Sequence, residues 1–126
     1  MDPRYVHGIR LFQEERWFEC HEELELLWRE TPAGPTRQYL QGLIQLAVSL
    51  EHWRRGNPRG AAGQWKKALA KLHDLPPVFE GVALRELLAA FEATWAEVRL
   101  IEAVETGRTL SVGERGWPAP RWVQST

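Results

Sequence analysis

"RRGNPRGA", residues 54–61, decides the fold. Arg54 and Arg55 suit the last turn of a helix, where cations meet the negative end of the macrodipole, and Gly56 can take the left-handed conformation just past it. Asn57 is then a cap for the next helix, and Pro58 stands at its first position, where a missing N–H costs nothing. So short a connection folds the two helices back on each other, which predicts an antiparallel helical hairpin over residues 35–73.

The pattern outward from this junction is helical in both directions. Upstream, from about Pro35 to Arg55, Leu40, Leu43, Ile44, Leu46, Ala47, Val48, Leu50 and Trp53 leave a helix apolar nearly all round, the mark of a central, buried element. Downstream, Ala61, Trp65, Ala68, Leu69 and Leu72 form one face and Lys66, Lys67 and Lys71 the other, ending before Leu75-Pro76-Pro77. Gly42, Gly60 and Ala61 are small enough to let the two backbones approach. Asp2-Pro3 opens a first helix with the stripe Val6, Ile9 and Phe12. A second runs from roughly Glu15 to Glu30, stopped by the cluster Thr31-Pro32-Ala33-Gly34-Pro35. A last long helix spans about Ala83 to Thr106, stopped by Gly107, and a break near Ala93 is compatible with its pattern. The tail from about residue 108 reads as irregular, with Trp117 and Trp122 pinning part of it to the body. No segment alternates with period two for long enough to predict a strand. The expected fold is all-α: a compact bundle of about five helices in a single domain, 1–126. The stretch "AAGQWKKALAKL" has the look of a tetratricopeptide second helix, but no repeat near that family's period accompanies it.

Composition narrows the function classes. At 126 residues with 44% hydrophobic and 26% charged side chains, the chain is an ordinary globule large enough for its own core. A net charge of −1 gives no global attraction to nucleic acid or anionic membrane. Arg54, Arg55, Arg59, Lys66, Lys67 and Lys71 make a modest basic patch without aromatic interleaving, which reads as a solvated face, so nucleic acid is disfavoured. The single cysteine, Cys20, fits a reducing cytoplasm. No stretch resembles a signal peptide or approaches a membrane span, and the expected location is cytoplasmic. The seven tryptophans fall mainly where helices would bury them. The bias toward arginine over lysine, with Asn57 the only asparagine, fits either a thermophile or a GC-rich genome.

The candidate site lies in "WFECHEELELLW", residues 17–28. At about 100° per residue, Leu27, Cys20, Leu24, Trp17, Trp28 and Phe18 fill an arc of roughly 180°. His21 and Glu25 fall inside that arc, Glu22 at its edge. A carboxylate directed at a core has to be paired, neutralised or open to a cavity, and stranding its partner would cost about 3–5 kcal/mol. On the next helix Gln41, Gln45, Ser49 and His52 recur at helical spacing as an uncharged polar stripe. Facing each other, the two stripes would form an internal pocket of His21, Glu25, Gln45, Ser49 and His52, bounded by Glu22 and Trp28.

Phe18, His21, Glu22, Glu25 and Trp28, with "GLIQLA" from Gly42 and "RGNPRGA" from Arg55, resemble a family of small bacterial and archaeal helical proteins, the domain of unknown function family three hundred and nine. The resemblance runs over roughly residues 5 to 75. It implies an all-helical domain and the importance of those motif positions, and it brings no reaction with it. One departure is local: a glycine commonly precedes the aromatic pair, whereas here Glu15-Arg16 precedes Trp17-Phe18.

Two function classes follow. The favoured one is a non-catalytic binding or interaction module whose pocket recognises a small ligand or fixes helix geometry, with a small ligand or protein as partner, homo-oligomerisation open and no cofactor expected. The alternative is a metal-dependent hydrolase with His21 and Glu25 as ligands and Glu22 as general base. "HEELE" lacks the second histidine of H-E-x-x-H, so a metal would need a third ligand, best supplied by His52. No histidine has a glutamate three residues before it, which excludes a di-iron carboxylate bundle. Cys20 and His21 point about 100° apart on the helix, which disfavours a Cys–His dyad and leaves Cys20 to the core.

Overall fold

The computed structural model describes residues 1–112 and 116–124. Asp2 accepts a hydrogen bond from the Arg4 backbone N–H at 2.8 Å, and Pro3 begins α1 (Pro3–Gln13). A tight turn leads into α2 (Trp17–Glu30), and Glu15 holds it with φ 61, in the left-handed region. In that left-handed region a Cβ costs about 1–2 kcal/mol. The Glu15 carbonyl accepts a 2.8 Å hydrogen bond from the Arg54 guanidinium, which helps to hold the strained turn.

The hairpin has the expected form. α3 (Pro35–Arg54) and α4 (Pro58–Leu72) are joined by Arg55-Gly56-Asn57, with Gly56 at φ 77 and Asn57 Oδ1 accepting from the Gly60 N–H at 3.0 Å. Their antiparallel pairing is fixed at both ends. Gly60 lies against His52 near the turn, while Gly42 meets Leu72 at the far end, where an added Cβ would sit 2.4 Å from the leucine Cγ. There too Gln38 Nε2 donates to the Lys71 carbonyl at 2.6 Å. On its other side α3 packs on α2, and α2 on α1 through a similar close approach of Gly8 to Leu24. Tyr39, Leu43, Leu46, Ala47 and Leu50 of α3 are fully buried together with Ile9, Phe12, Trp17 and Leu24 from α1 and α2.

Two features depart from the sequence expectation. Residues 78–83 form a small antiparallel hairpin, β1 (Val78–Phe79) and β2 (Val82–Ala83), pairing Val78 with Ala83 and Phe79 with Val82. Glu80 and Gly81 turn it with φ 47 and 77, the positive pair of a type I′ turn. Strands of two residues are too short to show a period. The last helix is two helices, α5 (Leu84–Glu97) and α6 (Leu100–Thr106), so the described chain has six helices rather than five. The break falls at Val98-Arg99, not near Ala93, with Arg99 left-handed at φ 56. Val98 and Leu100 flank it and are both buried, so the apolar pattern continues through a break that no glycine or proline marks.

The tail is held by specific contacts. Trp117 packs edge-on against Trp17, with centroids 5.9 Å apart, and Trp122 against Tyr5 at 5.7 Å. Ala83 N–H donates to the Arg121 carbonyl at 3.0 Å, and Trp53 Nε1 to that of Leu110 at 3.0 Å. Among the described residues no helix is long and apolar enough to cross a membrane.

The glycine geometry predicts opposite outcomes at two sites. Glu15→Gly relieves the left-handed strain and is expected to stabilise the fold by about 0.5–1 kcal/mol, the strain relieved less the extra chain entropy of glycine. Gly42→Ala drives a methyl group into Leu72 and is expected to cost about 1–3 kcal/mol by overpacking. Urea unfolding of both variants beside the parent checks the two signs.

The chain's two tyrosines form one buried pair: Tyr5 OH donates to the Glu80 carbonyl at 2.8 Å, and the Tyr39 hydroxyl lies 2.6 Å from that of Tyr5. Burial holds both phenols above their ordinary ionisation range. Below about pH 10 neither state is ionised and the pair's contribution is complete; above it the unfolded chain loses protons that the folded chain retains, so stability falls as pH rises. Phenolate absorbance is therefore expected to appear together with loss of helical circular dichroism, not before it. Phenolate in a fully helical protein near pH 10 would contradict the pairing.

Candidate binding groove between the second and third helices

Trp17 opens α2 fully buried, and the next residue, about 100° further round, is Phe18, whose ring is 50% exposed. One turn on, His21 meets that ring edge-on at 6.3 Å. From α3, Val48, Glu51, His52 and Arg55 recur at three- and four-residue spacing and so share a face. Together these side chains line an open groove of about 210 Å³.

Its polar groups are held in place from outside. Asn57 Oδ1 is committed to capping α4, which turns Nδ2 toward His52 Nδ1 at 3.2 Å. Because the amide nitrogen donates, Nδ1 accepts, and the neutral imidazole carries its proton on Nε2. The Glu51 carboxylate receives Arg55 Nε at 2.8 Å and has Arg54 Nη1 at 3.9 Å. Arg54 in turn lies over the Trp17 ring at 3.8 Å, and Arg55 over Phe18 at 5.9 Å.

The structure divides the expected internal cluster. His21 and His52 do line one groove. Glu25 does not face α3: its carboxylate lies along α2 between His21 Nε2 at 3.0 Å and Arg29 at 2.9 Å, with about a third of its side chain exposed. Ser49 is fully buried, but it donates to the Leu46 carbonyl of its own helix at 2.7 Å. Gln45 is partly buried, and its Oε1 has no hydrogen-bond partner among the described residues. Among the described residues no hydrogen bond joins His21 or Glu25 to Gln45 or Ser49. Trp28 lies toward the other end of α2 under the Arg37 guanidinium at 4.3 Å, and Glu22 is exposed. Glu25 is satisfied by i,i+4 partners on its own helix, His21 on one side and Arg29 on the other.

The same arrangement bears on metal binding. Among the described residues no three His, Cys, Asp or Glu side chains are grouped to hold an ion, and His21, Glu25 and His52 are no exception. Cys20 is fully buried and its thiol is pushed up to about 12, so it is no nucleophile near neutral pH. Phe18 and Arg55 line the groove beside His21 and His52 although the sequence pattern places them in the core arc and at a helix terminus; both stand in the motifs that carry the family resemblance.

Residues 5–64 match the family described as domain of unknown function DUF309. The chain is 33% identical over 105 residues to the uncharacterized protein YpuF of Bacillus subtilis (strain 168), an alignment covering 81% of this chain and 60% of that protein. It is 32% identical over 76 residues to an uncharacterized protein of Aquifex aeolicus (strain VF5), covering 60% of this chain and 23% of that protein. The alignments thus span 60% and 23% of the length of these two relatives.

A partly exposed ion pair within one helix is worth little. Glu25→Ala is therefore expected to cost about 0–1 kcal/mol, far below the loss from a stranded buried charge. Denaturant melts measure it, and a cost above about 3 kcal/mol would show that Glu25 is a buried structural partner.

Proposed function

We propose that the protein is a non-catalytic binding module whose working surface is the groove between α2 and α3. The observation that carries this reading is Phe18, an aromatic ring left half exposed at the mouth of a concave site. Burying a phenylalanine is worth about 1.5–3 kcal/mol, so a ring held at the edge of a groove has much of that energy left to offer a ligand. Around it the polar groups are already oriented: Asn57 fixes the His52 ring, and Glu51 fixes Arg55. Such preorganisation lowers the entropic cost of binding. The groups offered for a hydrolase support it less, because Glu25 is engaged by His21 and Arg29 along its own helix.

A screen of small fragments of several chemical classes, followed by backbone amide chemical shifts, tests this. The expected outcome is a cluster of perturbations at residues 17–21 and 48–55, lost in Phe18→Ala while the thermal midpoint stays near that of the parent. Fragments that perturb other faces only, or binding indifferent to Phe18, would overturn the proposal.

A further inference from the structure

Resting on that reading, we infer that the groove takes a small aromatic carboxylic acid, its ring against Phe18 and Val48 and its carboxylate held by Arg55 and His52. Size sets the first limit. About 210 Å³ lies below the range of drug-sized sites, roughly 300–1,000 Å³, yet above the roughly 150 Å³ in which a benzene ring is held. One ring with a short substituent fits; a nucleotide does not.

Charge sets the second. Arg55 uses Nε on Glu51, and among the described residues no hydrogen bond occupies its two Nη groups. Those two parallel donors are the fork that matches a carboxylate. His52, with Nδ1 accepting from Asn57, adds an Nε2–H donor in the same groove. The acidic side chain present, Glu51, is engaged by Arg54 and Arg55 and only 18% exposed, so it opposes an anion weakly.

A cationic ligand finds its places taken. The Trp17 face already carries the Arg54 guanidinium, and Arg55 lies over the Phe18 ring. The carboxylate that contacts the groove's His21, that of Glu25, is bracketed by His21 and Arg29. What remains open is an apolar floor with unfilled donors at one end, the complement of an amphipathic anion.

Three compounds sharing one ring and differing in charge test the assignment: phenylacetate, phenethyl alcohol and phenethylamine, titrated into the full chain with amide shifts as readout. Phenylacetate is expected to bind at least about tenfold more tightly than either counterpart, the scale of one charge-assisted hydrogen bond. Arg55→Gln should remove about that factor for the acid and leave the alcohol unchanged, and Arg55→Lys, which keeps the charge without the fork, should fall between. Thermal melts establish that both variants fold. Acid no tighter than alcohol or amine, or acid binding indifferent to Arg55→Gln, overturns the inference and leaves the binding module standing. If none of the three binds while other fragment classes map to the groove, the inference alone fails. If nothing maps there, both fail.

Discussion

A helix that is apolar on nearly every side survives in water only if other elements cover every side, and α3 imposes that demand on this chain. Its twenty residues include ten buried ones, Tyr39 to Trp53 among them. α4 covers one flank through the Gly42–Leu72 approach, and α2 covers another. The β-hairpin seals the Tyr39 end, where Phe79 lies 4.9 Å from the tyrosine ring. At the opposite end Trp53 meets Trp95 of α5 at 5.6 Å and donates to the Leu110 carbonyl in the tail. Elements far apart in sequence thus have one common reason for their positions.

The same demand produces the groove. Where α2 begins, Trp17 turns inward to cover α3, and the next residue of the helix has to point elsewhere. Phe18 therefore emerges beside the exposed side of the α3 C-terminal turns, where Val48, His52 and Arg55 lie. Asn57 links the two levels of organisation. One atom of its side chain caps α4, and the other fixes the imidazole at the groove. An interaction that begins the second arm of the hairpin also sets the tautomer of a candidate binding residue.

The strained residues sit where packing overrides local preference. Glu15 and Arg99 both take left-handed backbone without the freedom of glycine. Glu15 turns the chain so that Trp17 can enter the core, and its carbonyl is met by Arg54. Arg99 rotates the chain so that Val98 and Leu100 can both be buried across a change of helix direction. In each case the burial of apolar neighbours outweighs a local cost of about 1–2 kcal/mol.

Local chemistry was legible in the sequence alone. The caps at Asp2 and Asn57, the prolines at Pro3, Pro35 and Pro58, the stop at Gly56 and the all-round apolar pattern of α3 each act within a few residues, so the helices and their hairpin followed from them. The two polar stripes contained two of the side chains that line the groove, His21 and His52. Tertiary structure alone decided the rest. Whether Glu25 faced α3 or solvent depended on competition between an ion pair along its own helix and a partner on another, and a helical wheel carries only the first helix's geometry. The hairpin at Glu80-Gly81 depended on what packs beside it, Trp122 and Tyr39 among them, and the break at Arg99 on the burial of both Val98 and Leu100. The groove is the clearest case: it is the space left between two helices, and such a space has no representation in either one's sequence.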